Sequence, residues 1–144
     1  MSFMLHPQLA ADCVTIGNLP ICTVLLNAQF NQFPWLILVP RRTGCRDLTD
    51  VGQLEFPMLM DEVAYVHDAL KAYTKPTKMN VGALGNMVPQ LHIHIIARTE
   101  GDACWPKPVW GHAQPQPYSE KHLAKAVAGY RTMLADILEP KLDS

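Results

Sequence analysis

Two histidines, His92 and His94, stand one residue apart in the segment 90–97, whose sequence is QLHIHIIA. Polar and apolar residues alternate through most of it, which is typical of a β-strand. Successive side chains on a strand point to opposite faces, so both imidazoles are expected on one face, about 7 Å apart along the strand. That face carries Gln90, His92, His94 and Ile96, and the other carries Leu91, Ile93, Ile95 and Ala97. The spacing suits two imidazoles that bracket one phosphate group.

A glycine-bearing loop leads directly into this strand. Residues 80–89 read NVGALGNMVP, with glycines at 82 and 85 and asparagines at 80 and 86. Glycine lets main-chain amides approach an anion closely, and consecutive amides of a loop can form a concave anion site. The loop and the paired histidines together predict a phosphate pocket.

Two other interpretations of the histidine pair remain open at this point. A half-exposed strand can carry polar residues on its wet face without any function. A His-x-His pair on a strand can also bind a transition metal if a further ligand is present, and Asp102, Cys104 and His112 are the candidates. None of the three stands at a spacing that requires a metal.

The first half of the chain predicts two strands and a helix. Residues 21–26 and 35–39 are apolar runs separated by a polar stretch that ends in Pro34, so they are expected to form a hairpin. Asp50 with Gln53 resembles a helix-capping pair. Pro57 predicts a kink or a late helix start, because it lacks a backbone donor. The helical stripe itself consists of Leu59, Val63, Val66, Leu70 and Tyr73.

The second half predicts a short strand over 79–81, the histidine strand and a C-terminal helix. Ser119 suits the N-cap of that helix, expected over about 119–138. Its apolar stripe consists of Leu123, Val127, Tyr130, Leu134 and Ile137. The proline-rich segment 102–117 is expected to be irregular, and its Trp105 and Trp110 suit base stacking and buried packing equally well. This order of elements favours an α+β domain with an antiparallel sheet covered by helices.

Composition narrows the class of ligand and the setting. A chain of 144 residues with 49% hydrophobic residues is expected to form one domain over 1–144. Its net charge of −1 argues against binding to long nucleic acids, and a small anionic ligand fits better. No apolar run is long enough for a membrane span or a secretion signal. The four cysteines form no C-x-x-C pair, so reduced thiols and a cytoplasmic location are expected.

The motif QLHIHII at 90–96 resembles the signature of the histidine triad (HIT) superfamily, in which alternating histidines are each followed by an apolar residue. The resemblance covers roughly residues 12–111 and is strongest to small bacterial HIT-domain proteins of the diadenosine polyphosphate hydrolase type. Further segments match in order and spacing: 25–27 (LLN), 35–41 (WLILVPR), 80–82 (NVG) and 105–106 (WP). The resemblance implies a HIT-like fold, with a central helix and a C-terminal helix packed on an antiparallel sheet.

The resemblance also implies roles for particular residues. His92 corresponds to the nucleophile that attacks the α-phosphorus and forms a phosphohistidine, and His94, in its protonated form, to its partner on the phosphate and leaving group. Gln90 contributes its backbone carbonyl, which accepts the Nδ1 proton of the nucleophile. Asn80 and Asn86 are expected near the phosphate. Two further residues complete the predicted nucleotide site: Asn27 at the position of the ribose ligand, and Arg98, just past the strand, as a phosphate contact.

The resemblance predicts a nucleotide hydrolase or nucleotidyl transferase, acting on a dinucleoside polyphosphate or a nucleoside phosphoramidate. No metal or other cofactor is required by this scheme, and the implied assembly is a homodimer. The chain departs from the pattern at Gln90, which replaces the first histidine of the triad, and at Trp35 and Thr43, where many relatives carry further histidines. Gln90 keeps open a second possibility, a nucleotide-binding module without catalysis.

Overall fold

The computed structural model describes residues 2–140, which form an antiparallel five-stranded sheet with helices, the predicted α+β class. The predicted domain over 1–144 includes residue 1 and residues 141–144, which lie outside the described part. The strands are β1 (Cys13–Asn18), β2 (Cys22–Asn27), β3 (Trp35–Pro40), β4 (Lys78–Gly82) and β5 (Ile93–Arg98). The helices are α1 (Pro7–Asp12), α2 (Phe56–Thr74) and α3 (Glu120–Met133), and a short 3₁₀ turn spans Leu48–Val51.

The strands lie in the order β1-β2-β3-β5-β4, and every neighbouring pair is antiparallel. The predicted hairpin is confirmed, since β2 pairs with β3 from Cys22 opposite Pro40 to Leu26 opposite Leu36. β5 therefore lies inside the sheet, between β3 and the edge strand β4. The histidine-bearing segment is thus positioned by strands on both sides.

Both faces of the sheet are covered. The larger core lies under α2 and α3 and includes Leu59, Val66 and Leu70 from α2, with Ile93 and Ile95 from β5. The smaller core lies on the opposite face and is closed by α1 and the segment around Val109. It contains Leu9, Leu25, Phe33, Trp35, Ile37, Val39, Ile96 and Val109. The predicted division of β5 into two faces is confirmed, because Ile96 packs on the side opposite Ile93 and Ile95.

The boundaries of β5 and α3 differ from the predicted ones. The strand was expected over 90–97, yet it begins at Ile93, because the main-chain N–H of Leu91 donates to the carbonyl of Cys45 in the loop after β3. The C-terminal helix was expected to reach about residue 138 and ends at Met133. Turns follow it and keep Leu134 fully buried, so the apolar spacing continues beyond the helix.

The capping predictions gave mixed results. Ser119 caps α3 as predicted, by accepting from the N–H of His122. The predicted pairing of Asp50 with Gln53 is wrong, because the Asp50 carboxylate accepts from the main-chain N–H groups of Arg46 and Asp47. A late start of α2 is confirmed, with Pro57 in its first turn, where the missing N–H costs no helical hydrogen bond. The sequence patterns did not predict α1 and β1.

Candidate active site

His92 lies immediately before β5 and is oriented by the main chain. Its Nδ1 is 2.7 Å from the carbonyl oxygen of Gln90. A carbonyl can only accept a hydrogen bond, so Nδ1 of His92 carries the proton. In the neutral ring the other nitrogen, Nε2, therefore presents a lone pair.

His94 has the opposite arrangement of protons. The indole Nε1–H of Trp35 donates to Nδ1 of His94 at 2.9 Å, and an indole nitrogen can only donate. Nε2 of His94 therefore carries the proton and is a hydrogen-bond donor. Burial, with a smaller contribution from His92, lowers the pKa of His94 from 6.5 to about 3. His94 is neutral near pH 7, which differs from the protonated form expected from the sequence.

The two rings converge and are shielded from water. Their centroids are 4.9 Å apart with an interplanar angle of 70°. This is shorter than the spacing of about 7 Å expected along the strand. Only 7% of His92 and 9% of His94 is exposed, so of the two expected settings for this face, solvent or a cleft, open solvent is excluded. The smaller core covers it, and a simple wet strand face does not account for the pair.

Two tryptophans enclose His94. The ring centroid of Trp35 is 5.6 Å from that of His94, and that of Trp110 is 5.5 Å away, both edge-on. Gly82 on β4 makes room for Trp110, since a Cβ atom at this glycine would lie 3.0 Å from the indole Cη2. Trp35 was not predicted as a site residue. The signal that could have found it is its place among the apolar residues of β3, at a position where relatives carry a histidine.

The side chain of Gln90 contacts the N-terminal part of the chain. Its Oε1 accepts from the main-chain N–H of His6, and its Nε2 donates to the carbonyl of Met4, both at 2.8 Å. The carbonyl of Gln90 faces His92 in the same structure. Gln90 thus contacts His92 through its main chain, and Met4 and His6 through its side chain.

Arg98 lies at the end of β5 with its guanidinium inside the protein. It is 1% exposed and donates from Nε and Nη2 to the carboxylate of Asp102 at 2.7 and 2.9 Å. Its Nη1 donates to Oδ1 of Asn80 at 3.2 Å, and it stacks on Phe33. The hydrogen bonds from Arg98 hold the pKa of Asp102 at about 2. The predicted phosphate contact would require this guanidinium to leave its partners.

The three asparagines of the predicted site lie in different settings. Asn80 is on β4 opposite Ile96 and is oriented by Arg98. Asn27 ends β2, is 8% exposed, and accepts from the main-chain N–H of Gln29 at 3.1 Å. Asn86 is exposed in the loop between β4 and β5. Asn27 and Asn80 are held by protein contacts, whereas Asn86 lies on the surface.

The additional metal ligands considered from the sequence do not gather at the histidines. Among residues 2–140, no group of three or more His, Cys, Asp or Glu side chains is arranged to hold a metal ion. The carboxylate of Asp102 is engaged by Arg98 and by the N–H groups of Cys104 and Trp105, and His112 is exposed. No helix in this part of the chain has the length and apolar character to cross a membrane.

The family model described as the HIT domain matches residues 8–101, about two thirds of the chain. The chain belongs to the HIT domain family. Proteins with this domain bind small nucleotides and are in general nucleotide hydrolases or transferases, which sets the class of function for this HIT protein. No curated protein matches the chain.

Solved structures of three bacterial histidine triad proteins are similar over almost the whole chain. The protein from Bradyrhizobium japonicum is 42% identical, with 92% of this chain and 98% of that chain covered and a TM-score of 0.87. The protein from Marinobacter aquaeolei is 41% identical, with 95% and 99% covered and a TM-score of 0.90. The protein from Sinorhizobium meliloti is 38% identical, with 94% and 97% covered and a TM-score of 0.85. These neighbours share the α+β HIT fold.

Proposed function

We propose that this HIT protein cleaves or transfers nucleotides at the α-phosphorus, with His92 as the nucleophile. The observation that carries the proposal is the hydrogen bond from Nδ1 of His92 to the carbonyl of Gln90. It leaves the lone pair of Nε2 free to attack. Nε2–H of His94, on a ring only 4.9 Å away between centroids, then serves as a donor to the same phosphate group.

The reaction takes two displacements. Nε2 of His92 forms a bond to the α-phosphorus, and the bond from phosphorus to the leaving group breaks with its electron pair on that group. A water molecule or another acceptor then attacks the phosphorus, and the bond to Nε2 breaks and restores the lone pair. An amine leaving group takes its proton from solvent as the first bond breaks. Hydrolysis then releases a nucleoside monophosphate, and the attacking water returns a proton to solvent.

Stabilisation of the phosphoryl oxygens comes from hydrogen-bond donors in a site with little water. His94 contributes Nε2–H as a donor, and it is neutral before a nucleotide binds, because burial lowers its pKa to about 3. Oδ1 of Asn80 accepts from Nη1 of Arg98, which leaves the amide N–H groups of Asn80 for a phosphate oxygen. Asn86 and main-chain amides of the loop before Gln90 complete the donors, and Arg98 acts by orienting Asn80.

Asn27 is proposed as the ribose contact. Its Oδ1 accepts from Gln29, and the rest of the amide remains available for a hydroxyl. Asn27 lies on the same face of the sheet as the histidine pair, because Leu25, two residues earlier on β2, packs in the smaller core with Ile96. The proposed substrates are dinucleoside polyphosphates or nucleoside phosphoramidates.

The enzyme is tested with adenosine 5′-phosphoramidate and diadenosine tetraphosphate as substrates. His92→Ala is expected to reduce release of adenosine monophosphate by about a thousandfold or more, because it removes the nucleophile. Mass spectrometry of quenched wild-type reactions should find a phosphorylated His92. His122→Ala, at an exposed position on α3, is the control and should keep full activity.

A second candidate function is nucleotide binding without turnover, favoured by the replacement of the first triad histidine with Gln90. It predicts that wild type and His92→Ala release adenosine monophosphate equally slowly while wild type still binds the nucleotide. That result, measured by calorimetry alongside the assay, would reject the enzyme and retain the binding protein.

The proposed assembly is a homodimer that continues the sheet through β4. β4 is an edge strand, and exposed apolar side chains lie on it and on the loop that follows. Val81 is 47% exposed, Leu84 45% and Met87 94%. Light scattering is expected to give twice the monomer mass for wild type. Val81→Asp should give monomers, whereas Leu54→Asp, at a 90% exposed site outside the strand, should leave the mass unchanged.

A further inference from the structure

The side chain of Gln90 binds the N-terminal arm, defined here as residues 2–12. Its amide donates to the carbonyl of Met4 and accepts from the N–H of His6, so both polar atoms are used on one stretch of main chain. The two partner residues, Met4 and His6, flank Leu5, so the amide binds a short stretch of main chain at both of its ends. This contact joins positions 84 and 86 residues apart, and it fixes the arm next to the carbonyl that orients His92.

The arm lies on the face of the sheet that carries the histidines. Leu9 is buried in the smaller core, and Phe3 and Leu5 pack against it. The arm leads into β1 at Cys13, which pairs with Asn27. It therefore runs along the site from Gln90 to the proposed ribose contact.

The strand register gives the direction in which a bound nucleotide would extend. Leu26 lies opposite Leu36, and Leu36 lies opposite Ile95, so Asn27 is at the level of Ile96, beyond His94. Gln90 lies on the other side of His92. In an in-line displacement the leaving group lies opposite Nε2 of His92 and away from a ribose held at Asn27. In the proposed binding mode, Gln90 and the start of the arm lie on that side of the site.

The chemistry of the arm is unsuited to a charged leaving group. Residues 2–12 contain no lysine or arginine, and their one charged side chain at neutral pH is the carboxylate of Asp12. A polyphosphate chain entering this region would gain no ion pair from the arm and would meet apolar side chains. A small, weakly charged group needs no such partner.

We propose that Gln90 fixes the N-terminal arm as the wall of the leaving-group side, and that this wall selects nucleotides with a small leaving group, such as an amine, over those that release a polyphosphate. The proposal rests on the proposed function, and it assigns the side chain at position 90 a role in specificity. Gln90 is a positioning residue in this respect, since it acts through the arm.

Two pairs of variants isolate the contact. Gln90→Ala removes both hydrogen bonds and keeps the main-chain carbonyl that faces His92, and Gln53→Ala, at an exposed glutamine, is its control. His6→Pro removes the N–H that donates a hydrogen bond to Oε1 of Gln90. The φ of −55° and ψ of 135° at position 6 suit proline. His6→Ala keeps that N–H and loses the imidazole that caps α1, so the difference between the two His6 variants reports the lost bond.

Hydrogen–deuterium exchange of residues 3–12 tests, independently of catalysis, whether Gln90 holds the arm. Gln90→Ala and His6→Pro are expected to exchange at least tenfold faster there than Gln53→Ala and His6→Ala respectively. Equal exchange within each pair would show that Gln90 does not hold the arm.

The ratio of kcat/KM for adenosine 5′-phosphoramidate to that for diadenosine tetraphosphate tests selectivity. Wild type should favour the phosphoramidate, and the ratio should fall about tenfold in Gln90→Ala and His6→Pro, as expected for the loss of one positioning contact. If exchange in the arm is faster but the ratio is unchanged, the arm does not select the leaving group. If wild type shows no His92-dependent cleavage of either substrate, both the proposed function and the proposed selectivity are rejected. The exchange experiment would still show whether Gln90 holds the arm.

Discussion

The indole of Trp35 donates a hydrogen bond to Nδ1 of His94 at 2.9 Å, and this contact decides which nitrogen of His94 faces the site as a donor. Nε2 of His94 must carry the proton, while Nε2 of His92 must lack it, because Nδ1 of His92 donates to the carbonyl of Gln90. The two rings are therefore chemically opposite although their sequence context is almost the same. In the proposed mechanism, His92 attacks the phosphorus and His94 stabilises the phosphoryl oxygens.

Replacement of Trp35 should uncouple this arrangement. Trp35→Phe keeps most of the buried surface and removes the N–H, so His94 is free to adopt either tautomer. We expect kcat to fall about tenfold, equivalent to about 1.4 kcal/mol. Long-range ¹⁵N–¹H NMR should show Nδ1 of His94 protonated in part of the population. Phe30→Leu disturbs the neighbouring ring, 4.9 Å from Trp35, and serves as the packing control. If His94 in Trp35→Phe is found only as the Nε2–H tautomer, Trp35 is not the residue that sets it.

The lowered pKa of His94 makes the folded state sensitive to acid. The unfolded chain takes up a proton near pH 6.5, whereas the folded protein resists protonation down to about pH 3. The contribution of His94 to the free energy of unfolding is therefore at its maximum above pH 6.5 and decreases as the pH falls towards 3. Between pH 6.5 and about 4.5, the free energy of unfolding should decrease by up to about 1.4 kcal/mol per pH unit from this group.

Urea unfolding at several pH values measures this effect, and His94→Gln should reduce the slope over the same range. His122→Gln removes an exposed histidine and should retain the wild-type slope. Equal slopes for wild type and His94→Gln would show that His94 is not the group responsible.

The ion pair of Arg98 and Asp102 is expected to be a major contribution to stability. Asp102→Asn leaves a guanidinium that is 1% exposed without its carboxylate, and this should lower the free energy of unfolding by about 3–5 kcal/mol. The partly exposed pair of Arg42 and Glu55 gives the comparison, since water screens this pair and Glu55→Gln should cost far less stability than Asp102→Asn. Similar losses in the two variants, measured by urea unfolding, would argue against this assignment.

A methyl group at position 82 should disturb the site through Trp110. In Gly82→Ala the new Cβ would lie 3.0 Å from the indole, which must then shift against His94. We expect a fall of about tenfold in kcat/KM with a loss of about 1–3 kcal/mol in stability. Lys78→Ala, at an exposed position on the same strand, should change neither quantity. Tryptophan fluorescence that stays unchanged in Gly82→Ala would refute the proposed displacement.

The features that could be predicted from sequence are those with a local periodic signal. Alternation in 90–97 predicted the two faces of β5, and Ser119 predicted the start of α3. The family motif predicted the contact between Gln90 and His92, and the hydrogen bond in the structure agrees with it. These signals are local because a strand or helix repeats its environment every few residues.

The contacts that were missed join distant parts of the chain. Trp35 is one apolar residue among several in β3, and nothing local marks its N–H as the partner of a residue 59 positions later. Gln90 gives no sign of its bonds to Met4 and His6. Arg98 and Asp102 are four residues apart and could have been paired from sequence, but their charges were interpreted separately, as a phosphate contact and a metal ligand.

The acceptor for Nδ1 of His92 is a peptide oxygen, and every amino acid supplies one. The orientation of the His92 ring is therefore independent of residue type at position 90, provided that the backbone keeps its path, which the hydrogen bond from Leu91 to Cys45 helps to hold. A triad can lose its first imidazole and retain the geometry that this imidazole's residue once provided. The side chain at position 90 is not needed to orient His92 and can make other contacts. Variation at this position is therefore a place to look for differences in what HIT proteins recognise.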